Sequence, residues 1–264
     1  MSYRFIISDW NGTILRYPTD EAQNKKIAYA LLDNANLKIK NGNLSALWDF
    51  GQLLLAEREL KKCFEKYQKG ELSLHEVYEP FNKRVLRGKD YKFVSDVLDQ
   101  FVDECVINDD VDKRILDAIC LAHKYGTKTG ILSTSNDVAI DRTLIRLGFE
   151  NIFDIIESNR FITRFINGEL KMMDCTFDIN NRKPEYLERR FLRPYNLKEK
   201  DVIYFGDSDD DTEIANMLPA GNFIVPFFAT NEFREYAAKR FGAFTPNTKE
   251  DLDCYLKTKC FIKM

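Results

Sequence analysis

No stretch of this sequence is apolar for the ~20 residues that a bilayer-spanning helix requires; even its longest runs, such as 223–229, fall far short. A membrane role is therefore not expected. Signal-peptide architecture is missing too. Met1, Ser2, Tyr3 and Arg4 run straight into a strand-like segment, with no charged head, apolar run and small-residue cleavage site, so a cytoplasmic location is expected. Cysteine pairs at C-x-x-C spacing are absent: Cys63, Cys105, Cys120, Cys175, Cys254 and Cys260 are scattered. A zinc site or a disulfide framework is thereby disfavoured, and the thiols read as small packed hydrophobes. No sign of charge dominates either. A net charge of −3 implies no strong field for nucleic acid, and the sequence contains neither an internal repeat nor a low-complexity segment.

What is present is ordinary globular material in an informative order. With 264 residues, 44% of them hydrophobic, the chain can bury one large core or a core and a smaller companion. Short apolar runs at 4–9, 129–133, 202–207 and 222–226 read as strands, and the first three end in carboxylate or hydroxyl residues. Helical spacing falls between them at 112–125, 137–147, 184–192 and 211–218. This alternation predicts an α/β fold, a Rossmann-like doubly wound parallel sheet whose ligands gather beyond the carboxyl ends of the strands. The rhythm breaks between 17 and 106, where helical patterns at 21–32, 44–67, 74–85 and 91–105 predict a second, smaller all-helical domain inserted after the first strand. The expected division is thus a core of 1–16 and 107–264 and a helical insertion of 17–106. Asn167-Gly168 between apolar-rich flanks signals a hairpin over 161–172.

Each strand tip has a plain explanation when taken alone. Asp9 could be a turn residue, Ser133 and Thr134 could satisfy a loop or cap a helix, Lys183 could sit on the surface, and the acid-rich 207–213 could be a solvated helix start. Their order argues otherwise. Asp9-Trp10-Asn11-Gly12-Thr13, then Ser133, then Lys183-Pro184, then Gly206-Asp207 with Asp211 four positions on, each in its strand context, make coincidence a poor account, and the residue types suit phosphoryl chemistry. An in-line transfer needs a nucleophile and neutralisation of charge on the equatorial oxygens. Asp9 can supply the nucleophile through an aspartyl-phosphate. Asp9 and Asp207 offer the carboxylates that Mg²⁺ prefers, Lys183 offers a fixed cation, and Ser133 with the amides near Gly12 and Thr134 can donate to phosphate oxygens. The extra acids Asp209 and Asp210 read either as solvated or as standing behind the metal ligands.

In this combination the sequence resembles the haloacid dehalogenase superfamily, with its first motif at Asp9 to Thr13, second at Ser133, third at Lys183 and fourth at Gly206 to Asp211. The helical insertion matches in position the cap that many members carry after the first motif. The resemblance implies a hydrolase that uses Mg²⁺, with Asp9, Asn11 and Lys183 catalytic, Asp9, Asp207 and the backbone carbonyl of Asn11 on the metal, Asp211 supporting it directly or through water, and Gly12, Thr13, Ser133, Thr134 and Lys183 binding the phosphate of a small phosphorylated metabolite.

One position departs from the pattern. Phosphatases of the superfamily usually carry a second aspartate two residues after the nucleophile, as proton donor to the leaving oxygen; here Asn11 stands there. An amide does not exchange a proton near neutral pH, so a general acid/base contribution of roughly 10²–10⁴-fold should be missing. Three readings stay open. The first is a phosphohydrolase that is slow, acts on a substrate with a good leaving group, or has the role moved to the insertion. The second is a phosphonatase-like hydrolase of carbon–phosphorus bonds, since Asp9-Trp10-Asn11-Gly12-Thr13 resembles phosphonoacetaldehyde hydrolase; Lys61, Lys62, Lys66 and Lys69 lie in the insertion but in no motif that would mark an imine-forming lysine. The third is a binding or regulatory protein that keeps the phosphate cradle. Trp48, Tyr67, Tyr78 and Phe81, at helical spacing in the insertion, read as core and carry no substrate code.

Overall fold

The computed structural model of the protein describes residues 5–17, 21–72, 74–176, 179 and 182–260. It divides into two compact units, one of Met1–Thr19, Glu104–Ser158 and Arg182–Met264, the other of Asp20–Asp103 and Asn159–Asn181.

The first unit is built on a sheet of five strands: β1 (Phe5–Ser8), β2 (Lys128–Asn136), β3 (Ile155–Asn159), β6 (Val202–Phe205) and β7 (Phe223–Ile224), in the order β3-β2-β1-β6-β7. β1 pairs in parallel with β2 and with β6, and β6 in parallel with β7. Strands covered on both faces need continuous apolar runs rather than alternation. Accordingly Phe5, Ile6 and Ile7, Ile131 and Leu132, and the whole of Val202 to Phe205 are buried. Helices α5 (Lys113–Lys124), α6 (Asp137–Leu147), α7 (Lys183–Tyr186), α8 (Thr212–Met217), α9 (Asn231–Phe241) and α10 (Lys249–Cys260) belong to this unit. α5 shows why such a segment is helical and where it starts: Asp112 accepts from the Arg114 amide as N-cap, and Ile115, Leu116, Ala118, Ile119 and Ala122 form one buried face.

Register places the chemistry. Ser8 pairs with Ile131 on one side and Phe205 on the other, so the chain leaves the sheet at Asp9, between the end of β6 and the middle of β2. The strand order reverses at β1, and the crevice at such a reversal is where ligands bind in open α/β sheets.

The second unit packs α1 (Glu21–Lys40), α2 (Ala46–Gln68), α3 (Leu74–Phe81) and most of α4 (Tyr91–Ile107) around Ile27, Leu31, Leu53, Ala56, Val77, Tyr78, Phe81, Val94 and Leu98. Its expected helices are present, and the structure adds to them a ribbon of β4 (Phe161–Ile166) and β5 (Glu169–Cys175), turned at Asn167 and Gly168 with φ of 52° and 82°. Reading 107–264 as wholly core misplaced this ribbon. Its attachment is physical: the Gly88 amide donates to Met172 O at 2.7 Å, the Met172 amide donates to Lys89 O at 2.8 Å, and the Met172 side chain is fully buried. No helix among the described residues is long and apolar enough to cross a membrane.

Candidate active site

Beyond the carboxyl ends of β1 and β6 the first unit brings together four buried ionisable side chains: Asp9, Lys183, Asp207 and Asp211 are exposed by only 4%, 3%, 8% and 0%. Burying an unpaired charge is costly, so such a group must be tightly paired. Lys183 does the pairing. Its ammonium donates to Asp9 Oδ2 at 2.8 Å and to Asp211 Oδ1 at 2.7 Å, joining residues 174 and 28 positions apart in the chain.

Backbone geometry delivers each group. The Asp9 amide donates to Phe205 O at 2.9 Å, prolonging the β1–β6 pairing past the strand, while Asp9 Oδ1 accepts from the Trp10 amide at 2.7 Å. Gly12 turns the chain with φ of +74°, a conformation that L side chains rarely adopt. A Cβ there would lie 2.0 Å from Asp207 Oδ2, so the turn packs directly on the fourth-motif carboxylate. Gly206 serves in the same way, since a Cβ on it would meet Asp211 Oδ2 at 2.6 Å. Thr13, fully buried, donates to Asp207 Oδ1 at 2.9 Å. Lys183 opens α7, with Pro184 in its first turn.

The carboxylates Asp9, Asp207 and Asp211 offer oxygens that all lie within 4.8 Å of one another. Their mutual repulsion is written into their protonation. Burial, then Asp9 and Asp211, push the Asp207 carboxyl well above its usual value, against the Thr13 hydrogen bond and Lys183. Asp211 is raised to about 6, chiefly by burial, with Lys183 opposing and Asp9 adding to the rise. Burial works against the Lys183 ammonium, but Asp211 and Asp9 outweigh it and hold the charge on. Once all three are ionised, three carboxylates against one ammonium leave an excess of negative charge among buried groups. Clustered hard oxygens with that excess suit a divalent ion of the Mg²⁺ type, so the residues fit the metal that the sequence resemblance implies.

Asp9, Thr13, Lys183, Asp207 and Asp211 are thus joined by direct hydrogen bonds, with Gly12 packed against Asp207. Asn11 is buried beside them and bridges to Leu15. Ser133 and Thr134 lie on β2, the strand next to β1, in a strand that extends to Asn136 and so past the expected tip; the Ser133 hydroxyl accepts from the Ser135 amide at 3.2 Å. Asp209 and Asp210 are exposed, as solvated extras should be. Sequence reasoning missed Tyr204, whose buried hydroxyl donates to Asp211 Oδ1 at 2.9 Å. The available signal was a phenol inside the otherwise apolar Val202 to Phe205, three residues before Asp207.

A family model described as haloacid dehalogenase-like hydrolase matches residues 6–216. Among solved structures, a substrate-bound phosphoserine phosphatase complex superposes with a TM-score of 0.53 at 15% identity, covering 98% of this chain and 99% of that one. A probable phosphoserine phosphatase from Vibrio cholerae gives a TM-score of 0.61 at 13% identity over 96% of this chain and 65% of that one. A HAD family hydrolase from Salmonella enterica serovar Typhi gives 0.58 at 16% identity, covering 97% and 72%. At such identities the likeness is one of fold. No curated protein matches the chain by sequence.

Proposed function

The chain belongs to the haloacid dehalogenase-like hydrolases, and from that premise we propose that it is a Mg²⁺-dependent phosphohydrolase acting through an aspartyl-phosphate on a small phosphorylated metabolite with a good leaving group. The observation that carries this reading is the Lys183 ammonium, held at 2.8 Å from Asp9 and 2.7 Å from Asp211 in a cleft that also buries Asp207. A nucleophilic carboxylate paired with a fixed cation is what attack on phosphorus demands.

Asp9, Asp207 and the backbone carbonyl of Asn11 would hold the metal, with Asp211 supporting it. Bound Mg²⁺ supplies charge neutralisation between the carboxylate and the phosphate dianion. A carboxylate oxygen of Asp9 attacks phosphorus, the bond from phosphorus to the leaving oxygen breaks, and that oxygen departs with its electron pair. Lys183 pairs with the incoming phosphate, and Ser133 with the amides around Gly12 and Thr134 orients its oxygens. Water then attacks the aspartyl-phosphate, releasing inorganic phosphate and restoring Asp9. Asn11 offers no exchangeable proton to the leaving oxygen, which favours acyl phosphates, anhydrides and aryl phosphates over sugar or amino-acid esters. The phosphoserine phosphatase names among the structural neighbours therefore support the reaction class more than their particular substrate.

The test is a panel of acyl, aryl and alkyl phosphates with phosphonoacetaldehyde, assayed with and without Mg²⁺ on the wild type and Asp9→Asn. The expected result is Mg²⁺-dependent release of phosphate, fastest from the acyl and aryl members and abolished in the variant. Turnover of phosphonoacetaldehyde alone, or activity that survives Asp9→Asn, would overturn it.

A further inference from the structure

Asp211 is crowded with donors. Oδ1 accepts from Lys183 at 2.7 Å and from Tyr204 at 2.9 Å, and Oδ2 accepts from the Asp207 amide at 3.2 Å. Both oxygens are thus committed to the protein, and the carboxylate is fixed in rotation as well as in place. Tyr204 is itself immobilised: it is fully buried, and its ring stacks on Phe223 with centroids 6.0 Å apart and planes 9° from parallel. The phenol hydroxyl has one proton, directed to Asp211, and its oxygen also lies 3.4 Å from the Leu132 carbonyl, just before Ser133 on β2. A single side chain rooted in β6 therefore reaches the middle of β2 and the fourth-motif carboxylate that anchors Lys183.

We infer that Tyr204 is a positioning residue: by donating to Asp211 it fixes the carboxylate that aims the Lys183 ammonium at Asp9. Without the hydroxyl, Asp211 Oδ1 is held by Lys183 alone. The ammonium is then free to follow the carboxylate away from the nucleophile, in a cleft where three carboxylates compete for it. Supporting partners of this kind typically govern activity about 10- to 100-fold without touching the reacting atoms. For its kinetic arm the inference rests on the phosphohydrolase reading; its spectroscopic arm needs no turnover.

The experiment uses Tyr204→Phe, which keeps the ring and its stack and removes only the hydroxyl. Hydrolysis of an aryl phosphate in saturating Mg²⁺ is expected to lose about 10- to 100-fold in kcat, with KM little changed. In an Asp211→Ala background the same substitution should cost nothing more, because the hydroxyl then has no carboxylate to hold. In the metal-free protein, the slowly exchanging ammonium signal of Lys183 in a ¹H–¹⁵N spectrum should be sharp in the wild type and lost or shifted in Tyr204→Phe. A kcat within twofold of wild type, a full further loss in the Asp211→Ala background, or an unaltered Lys183 signal would each overturn the inference. If the wild type turns over no phosphate at all, the functional reading falls, and the Lys183 signal still decides the role of Tyr204. Should Asp211→Ala fail to fold, the single variant and the spectrum decide it.

Discussion

Charge is handled in opposite ways at the strand ends of the sheet unit and on the surface of the helical unit. In the sheet unit, Asp9, Lys183 and Asp211 form a bridge with almost no solvent on any member. In the helical unit, Lys83 with Glu79, Arg84 with Glu59 and Lys92 with Asp96 pair at the surface, each partner at least about 39% exposed. Solvated pairs of the second kind contribute little, commonly about 0–1 kcal/mol, because water already screens both charges. A buried triad costs several kcal/mol in desolvation per ion before attraction repays it, and apolar side chains of equal volume would often be no less stable. Retention of the triad is thus hard to explain by stability, whereas the surface pairs require no explanation beyond solubility. The difference yields predictions of very different size.

The largest effect is expected where the triad is cut. Lys183→Met keeps the length of the side chain and removes the charge, stranding the carboxylates of Asp9 and Asp211. Removing one partner of a buried pair costs roughly 3–5 kcal/mol, and a phosphate would meet no fixed cation. Denaturant melts should show a loss of that order, and turnover of an aryl phosphate should fall below detection. Wild-type stability in this variant would mean that the buried bridge is not the costly element it is taken to be.

The next effect runs the other way. Asn11→Asp places a carboxyl where the leaving oxygen lacks a proton donor, and general acid catalysis is worth about 10²–10⁴-fold where the donor is well placed. Alkyl phosphates should gain at least about tenfold, at the low end because the surroundings are not shaped for a carboxyl, while acyl phosphates should change little. Equal change on both substrates would argue that Asn11 acts through packing rather than through the absence of a proton.

How far these features could be read beforehand depends on whether the signal was local. Buried parallel strands leave continuous apolar runs, so β1, β2 and β6 were legible, and with them the places of Asp9 and Asp207 just past β1 and β6, whereas Ser133 lies inside β2, which runs on to Asn136. β3 (Ile155–Asn159) was not legible, because its run holds Glu157, Ser158 and Asn159, which are buried at the strand end yet polar in sequence. α9 and α10 also went unread. In α10 charged residues surround a sparse seam of Leu252, Leu256 and Cys260, spaced i, i+4, i+8 and buried only through tertiary packing. The unit to which the β4–β5 ribbon belongs is set by the Gly88–Met172 and Lys89–Met172 hydrogen bonds, which no local pattern announces. Tyr204 was legible in principle but looked like core, since its role lies in where the hydroxyl ends and not in the type of residue.

A smaller effect concerns pH in the sheet unit. Burial raises the Asp207 carboxyl well above its usual value and the Asp211 carboxyl to about 6, whereas an unfolded chain has both near about 3.9. An acid whose folded pKa is raised costs nothing while it is protonated in both states. As pH climbs from about 4 through 6, the unfolded chain releases its protons first, and stability is lost. The metal-free protein should therefore melt lower at pH 8 than at pH 5. Mg²⁺ should restore more at pH 8, where the carboxylates are ionised and free of competing protons. Thermal melts in chelator and in excess Mg²⁺ at the two pH values check this, and an equal Mg²⁺ increment at both would sink it.

The smallest effect tests the other half of the comparison. In the helical unit, Arg84 forms the most complete of the surface pairs, donating to both Glu59 oxygens at 2.8 and 2.9 Å and to Gln52 at 3.1 Å. Paired geometry of this kind is the best case for a surface ion pair, yet half-solvated partners should still lose no more than about 1 kcal/mol in Arg84→Ala. Turnover should not change, because the charge serves only the local surface. A loss of turnover without a loss of stability would show that exposed charge in the helical unit is also held for function, and the contrast with the buried triad would then be one of location and not of purpose.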